Sequence, residues 1–313
     1  MIEETINQGM LAIDQYMEEV VGSQVEVLQD ASIHIVTSGG KRLRPKMALL
    51  AYLAAGGQQL QEVIGLAAAV ELVHTATLVH DDINDHSLTR RGKATVHARW
   101  GRTFALLTGD YMFAKVYEMM APYGNPYNEI MSQAAVRLVE GETLQAAAAK
   151  SGDMDRETYK QIIGLKTASL FEASARMGAY LATKDQSVVN ALADYAYNLG
   201  LTFQIVDDIL DIIGDPETMG KPVGTDLTQG RGVMAVQNGE AFVSGDGVAA
   251  TAVADDPLQA MMARLRESGA VEIARLQARE MGERARAALA DVPSSPARDE
   301  LEDLIDMVLD RDR

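Results

Sequence analysis

Two short acidic groups, each closing a long apolar run, constrain this chain more than any other feature. Val70 to Val79 leads into LVHDDIND (Leu78 to Asp85), and Leu199 to Val206 leads into IVDDILDI (Ile205 to Ile212). Residues four apart share one face of a helix, so Asp81 stands beside Asp85 and Asp207 beside Asp211. Carboxylates crowded at the end of a core helix repel one another and lose hydration, which is costly without a cation. One Asp-Asp-x-x-Asp could be a solvated turn. Two copies on strongly apolar helices argue for a paired site, a cage of up to six carboxylates if they face each other across a bundle. Hard oxygen ligands of this kind suit Mg2+, which takes one or two carboxylates per ion and completes its shell with water and phosphate oxygens.

The scaffold around the clusters reads as helical. Val25, Leu28, Ala31 and Ile35 recur at spacings of three and four until Thr37-Ser38-Gly39-Gly40 stops the run. Pro45 fits a first turn, opening a helix that ends at Gly56-Gly57. The same period predicts helices over roughly 59–85, 102–121, 126–150, 155–183, 187–213, 257–267 and 270–291. Asp256-Pro257 reads as a cap and first turn, and Ser268-Gly269 as a break. Alternating apolar and polar runs are almost absent, and no short repeat is present. Alanine-rich helices that are apolar over much of their circumference belong in the middle of a large bundle. The expectation is one all-α domain, a single large helical bundle over residues 1–313, with an irregular lid-like segment at about 214–254.

Charge narrows the function. A net charge of -17 disfavours nucleic acid and anionic membrane surfaces as partners. The absence of cysteine excludes disulfides, thiolate metal sites and cysteine nucleophiles. The acidic start lacks the layout of a signal peptide, and no uninterrupted apolar stretch approaches the ~18 residues of a transmembrane segment. These features point to a soluble cytoplasmic protein.

Against that background the cations stand out. GGKRLRP (Gly39 to Pro45) places Lys41, Arg42 and Arg44 in a glycine-led loop entering a helix, and TRRGK (Thr89 to Lys93) follows the first acidic cluster directly. Lys166, Lys221 and Arg231 stand beside Thr167, Gly220 and Gly230. Helix N-termini and pliant backbone amides favour phosphate, and lysine and arginine add charge. His74 lies two helical turns before Asp81 on the same face, placed either as a core histidine or as a phosphate donor. No GxxxxGK[ST] loop is present, and no GxGxxG follows a strand. Metals, a diphosphate and an apolar interior suit ionisation of an apolar organic diphosphate, with stabilisation of the leaving diphosphate as the main catalytic term.

These motifs occur in a recognisable order: GGKRLRP, ELVHTATLVHDDINDHSLTRRGKAT, LLTGDYMFA, VEGETLQ, GLKTASLF, GLTFQIVDDILDIIGD and GKPVGTDLTQG. Over roughly residues 35–231 the chain resembles the trans-isoprenyl diphosphate synthases, or polyprenyl synthetases. The resemblance implies the isoprenoid synthase fold, a large all-α bundle around a deep central cavity, assembled as a homodimer. It implies up to three Mg2+ ions: two on Asp81 and Asp85 with Asp82 supporting, and a third on Asp207, with Asp211 and Asp208 completing that group. Lys41, Arg44, His74 and Arg91 would clamp isopentenyl diphosphate. Arg90, Lys166, Thr167, Gln204 and Lys221 would hold the allylic diphosphate. Asp81, Asp85, Asp207, Lys166 and Arg90 would carry the catalysis. The implied reaction is loss of diphosphate from the allylic substrate, attack by the double bond of isopentenyl diphosphate, and proton loss, giving a chain one isoprene unit longer.

Product length is the finer expectation. In short-chain members of the family, bulky aromatics stand four or five residues before the first aspartate. Here those positions are Thr77 and Ala76, with Val73 and Val70 deeper. The resemblance therefore implies a medium- or long-chain all-trans product, grown from farnesyl or geranylgeranyl diphosphate and passed on to membrane enzymes. Beyond DLTQG the family usually continues Lys-Thr-Leu-Pro, where this chain has RGVMAVQ; Arg231 keeps the charge. Three alternatives stand beside this reading. One is a geranylgeranyl diphosphate synthase. Another is a class I terpene cyclase, which needs no isopentenyl diphosphate clamp and normally has one cluster. The last is a subunit of a heteromeric synthase, whose clusters are usually degraded, whereas all six aspartates are intact here.

Overall fold

Most of the apolar periodicity becomes helix, as a computed structural model of the chain shows for residues 2–152, 154–213 and 267–311. The helices are α1 (Ile2–Val20), α2 (Glu26–Val36), α3 (Leu43–Ala54), α4 (Leu60–Asn84), α5 (Val96–Trp100), α6 (Arg102–Met120), α7 (Tyr127–Ser151), α8 (Arg156–Ile163), α9 (Ser169–Ala182), α10 (Gln186–Ile213), α11 (Ala270–Ala288) and α12 (Pro296–Leu309). The only strands among the described residues are β1 (Thr89–Arg90) and β2 (Lys93–Ala94), an antiparallel hairpin pairing Thr89 with Ala94 and Arg90 with Lys93. The expected all-α class holds.

Several boundaries match expectation within one or two residues, those of α4, α6, α7 and α10 among them. Three differences have local causes. The single helix expected over 155–183 is divided: α8 runs into a π-helical turn at Gly164–Ala168 before α9 begins. Helices α1 and α12 were not expected. The first has a narrow buried stripe (Ile6, Ile13 and Met17) in an otherwise polar segment. The second opens on Ser295, whose hydroxyl caps the Arg298 N–H at 3.2 Å, with Pro296 at the first helical position. The helix expected at 257–267, apart from Glu267, and the lid-like segment lie outside the described residues.

The chain divides into two compact units. The first comprises Met1–Ala135, Leu170–Ala196 and Ala288–Leu301. Its centre is α4, which packs on α6, α3 and α1 and is buried on almost every side from Val63 to Val79. By length and composition α4 could cross a membrane, but most of it is inside the protein, as suits a core helix. Each fully buried Leu or Val there contributes about 1.5–3 kcal/mol relative to exposure. The second unit comprises Val136–Ser169, Tyr197–Ala287 and Glu302–Arg313. Its core joins Ile162 and Ile163 of α8, Ile205, Ile209 and Ile212 of α10, and Ala274 and Ala278 of α11. Each unit thus ends an apolar helix in one of the two aspartate groups.

Candidate active site

The loop from Thr37 to Arg42 carries the first basic motif in an unusual backbone. Gly39 and Gly40 have φ of 80° and 135°, and Arg42, which precedes α3, is left-handed at φ 49°. Glycine is favoured at position 40 because a φ of 135° strains any residue with a Cβ, and a Cβ there would also displace the Arg91 guanidinium. Arg91 in turn donates to the Gly39 carbonyl, and Lys93 Nζ donates to the Thr37 carbonyl at 3.0 Å. The hairpin after the first acidic cluster is thereby fastened to the basic loop.

This packing brings three expected diphosphate ligands into one electrostatic group. Arg44, second residue of α3, stacks over the Phe171 ring at 4.9 Å. Its Nε is buried with no hydrogen-bond partner among the described residues. Burial lowers the Arg44 pKa to about 10, with Arg91 adding to the drop and Glu71 opposing it, so the side chain stays charged at neutral pH. His74 is pushed well below the usual histidine range, first by burial and then by Arg44, Arg91, Arg90 and Arg42. Its imidazole is therefore neutral, able to donate one hydrogen bond without adding charge. Lys41 is exposed on the same loop.

At the end of α4 the three aspartates divide their roles. Asp81 and Asp85 are partly exposed in the last turn, with the Asp85 N–H bonded to the Asp81 carbonyl at 2.8 Å. Asp82 turns inward and is 1% exposed. Arg90 Nε and Nη2 both meet Asp82 Oδ1 at 2.8 Å, while Oδ2 is buried with no partner among the described residues. Burial raises the Asp82 pKa, and Arg90 opposes that rise. Arg90, expected on the allylic diphosphate, is held here by the aspartate group itself.

The second unit places the other expected residues around α10. The Gln204 amide donates to Asp208 Oδ1 at 2.8 Å, and the Tyr159 hydroxyl donates to Oδ2 at 2.7 Å. Thr167 Oγ1 donates to the Gln204 oxygen at 2.8 Å, so Thr167, Gln204 and Asp208 form one chain. Lys166 lies beside Thr167 in the π-helical turn, paired with Glu142 at 2.8 Å and Gln145 at 2.9 Å. Gly141 allows this approach: a Cβ there would sit 2.6 Å from the Lys166 backbone nitrogen. Asp207 is partly exposed and pairs with Arg311 at 3.1 Å; Arg311 also stacks over Phe203 at 4.7 Å. Asp211 is fully buried. Among the described residues no three carboxylate or imidazole groups converge closely enough to form a metal site by themselves. Lys221 and Arg231 lie outside the described residues.

Sequence reasoning missed Tyr159, Arg311, Glu71 and Asp14, which reach their partners only through the fold. Glu142 and Gln145 did carry a signal: both sit in VEGETLQ, on one face of α7 at a spacing of three.

A family model described as polyprenyl synthetase matches residues 25–240. The chain belongs to the polyprenyl synthetase family. It is thus a prenyltransferase, with the isoprenoid synthase fold. Among curated polyprenyl synthetases, the octaprenyl diphosphate synthase of Escherichia coli (strain K12) is 36% identical over 100% of this chain and 98% of its own length. The all-trans-nonaprenyl-diphosphate synthase (geranyl-diphosphate specific) of Rhodobacter capsulatus is 37% identical over 98% of this chain and 96% of its own. Among solved polyprenyl synthetases, that of Caulobacter crescentus CB15, complexed with calcium and isoprenyl diphosphate, superposes with a TM-score of 0.89 at 34% identity. The match covers 99% of this chain and 97% of that one.

Proposed function

We propose that the chain elongates farnesyl or geranylgeranyl diphosphate by head-to-tail trans condensation with isopentenyl diphosphate, giving a medium- or long-chain all-trans polyprenyl diphosphate. The observation that carries this reading is the basic loop, fastened by the Arg91–Gly39 and Lys93–Thr37 bonds and leading into Arg44 on α3, which packs on the helix that carries His74 and ends in Asp81 and Asp85. A prenyl acceptor needs such a cationic clamp for its own diphosphate; an enzyme that only ionises and cyclises does not.

In this reading Lys41, Arg44, Arg91 and His74 hold the diphosphate of isopentenyl diphosphate, His74 by a neutral N–H. Lys166, Thr167, Gln204, Arg90 and Lys221 hold the allylic diphosphate. Asp208 orients Gln204, and Gln204 orients the Thr167 hydroxyl. The allylic C1–O bond breaks, and the electron pair leaves with diphosphate. The C3–C4 double bond of isopentenyl diphosphate then forms the new C–C bond to C1. Loss of a C2 proton to the released diphosphate restores a double bond. Positive side chains around the departing oxygens lower the barrier by opposing the charge that develops there.

Asp81, Asp85 and Asp207, with Asp211, are the residues that would hold Mg2+, up to three ions. Their hard oxygens and the unpartnered, buried Asp82 Oδ2 fit a divalent cation, and the Caulobacter relative was solved with calcium. When bound, the metal supplies charge neutralisation of the diphosphate oxygens. The enzyme works in the cytoplasm as a homodimer, and the dimer is supported by the large apolar side chains α6 leaves exposed, Phe104, Leu106, Leu107 and Tyr117. Product length is set by Val73, Ala76 and Thr77. All three are buried, and Thr77 donates its hydroxyl to the His74 carbonyl at 2.7 Å.

The role assignment has a kinetic test. Arg44→Ala raises KM for isopentenyl diphosphate, Lys166→Ala raises KM for the allylic substrate, and Asp81→Asn lowers kcat at least about 100-fold. Arg44→Ala and Lys166→Ala acting on the same KM would overturn the division.

A further inference from the structure

Arg42 stands between Lys41 and Arg44 in the basic loop, yet its guanidinium is already committed. Nε forms an ion pair with Asp14 Oδ1 of α1 at 3.0 Å without hydrogen-bond geometry, Nη1 donates to Glu71 Oε1 of α4 at 3.0 Å, and Nη2 donates to the Val36 carbonyl ending α2 at 2.5 Å. Two of its nitrogens are thus hydrogen-bonded and the third is ion-paired, and the side chain is 11% exposed. The backbone of Arg42 is left-handed, φ 49° and ψ 35°, a region disfavoured for a residue with a Cβ. Such a conformation persists when its surroundings over-determine it, and the fork to three elements does that. Arg42 also immediately precedes α3, so fixing its backbone fixes where Arg44, two residues on, projects.

The acid in this network is placed against expectation for a diphosphate site. Glu71 is 3% exposed, one turn before His74, and acts electrostatically on Arg44 and Arg91 as well as on Arg42. A buried carboxylate there repels a diphosphate, so it is not a substrate ligand. It does offset the mutual repulsion of three arginines in the absence of an anion, which keeps them gathered. Asp14 holds the outer end of the fork and lies before residue 25, outside the region the family model matches.

We infer that Asp14, Arg42 and Glu71 form a pin that positions the isopentenyl diphosphate clamp, and that Arg42 is a positioning residue rather than a diphosphate ligand. The inference rests on the proposed function for the identity of the ligand. Arg42 locks the loop that carries Lys41 and the helix start that carries Arg44, and Glu71 balances their charge until the diphosphate arrives.

The test compares Asp14→Asn and Glu71→Gln with the parent enzyme, using isopentenyl diphosphate binding by calorimetry alongside steady-state elongation. The pin predicts about tenfold weaker isopentenyl diphosphate binding for Glu71→Gln, as loss of a charge-assisted bond implies, and about threefold weaker binding for Asp14→Asn, which removes a half-exposed ion pair, each with a matching rise in its KM. KM for the allylic substrate and kcat stay within about twofold. Asp14→Asn has little further effect once Arg42→Gln is present, because both act through one network. Asp14 is half exposed, so its variant folds even if Glu71→Gln does not. If Arg42 were itself a ligand, Asp14→Asn would release it and tighten binding, overturning the proposal. Unchanged binding, or equal losses in both KM values and kcat with a lower melting temperature, would overturn it too. A parent enzyme that binds isopentenyl diphosphate but elongates nothing would count against the proposed function and leave the binding comparison decisive for the pin.

Discussion

Tyr159 donates its hydroxyl to Asp208 across 2.7 Å, and Gln204 occupies the other oxygen of the same carboxylate. Asp208 thus has both oxygens engaged by protein donors and serves as an orienting acceptor, unlike the partly exposed Asp207 beside it. Tyr159→Phe leaves one buried carboxylate oxygen without that donor. We expect a stability loss of about 1–3 kcal/mol by urea denaturation, with KM for the allylic substrate raised through Gln204 and Thr167.

Asp207 has a resident counter-ion in Arg311, which any metal at that carboxylate must displace. Arg311→Gln removes the competitor. Titration with Mn2+, followed by electron paramagnetic resonance, should show binding tightened about fivefold, the equivalent of one partly buried ion pair. Unchanged Mn2+ affinity would show that Asp207 is not a metal ligand or that Arg311 does not compete.

His74 makes stability pH-dependent in a defined direction. Its pKa is depressed in the folded chain below the 6.5 of an exposed histidine, so below pH 6.5 the unfolded chain takes up a proton that the folded chain does not. Stability is fully present above that pH and is lost as acid is added. Relative to His74→Gln, the parent should lose up to about 1.4 kcal/mol more per pH unit from 6.5 downward. Parallel urea midpoints for parent and variant between pH 7.5 and 5 check this.

What could be read in advance depended on how far each relationship reaches along the chain. Helix α4 was legible because its apolar run is long and Gly56-Gly57 marks its approach. Asp81 and Asp85 were legible because a spacing of four is a local fact. The π-helical turn at Lys166 was not, since adding one residue to a helical turn leaves no mark in apolar periodicity; what accommodates it is Gly141, on another helix. The π-turn carries Lys166 and Thr167 together, and their partners Glu142, Gln145 and Gln204 come from α7 and α10. The committed guanidinium of Arg42 was likewise hidden, because Asp14 and Glu71 lie on separate helices to either side of it in sequence.

Ala76 is fully buried on α4, five residues before Asp81. Ala76→Phe should shorten the dominant product by several isoprene units, at a stability cost of about 1–3 kcal/mol for overpacking. An unchanged product distribution, with the variant still folded by circular dichroism, would remove Ala76 from the determinants of length.

The most direct measurement is incubation of the purified enzyme with Mg2+, labelled isopentenyl diphosphate and either farnesyl or geranylgeranyl diphosphate, followed by chain-length analysis. The account predicts linear all-trans polyprenyl diphosphates longer than the geranylgeranyl stage. A cyclic hydrocarbon, or no incorporation of label with either primer, would contradict it.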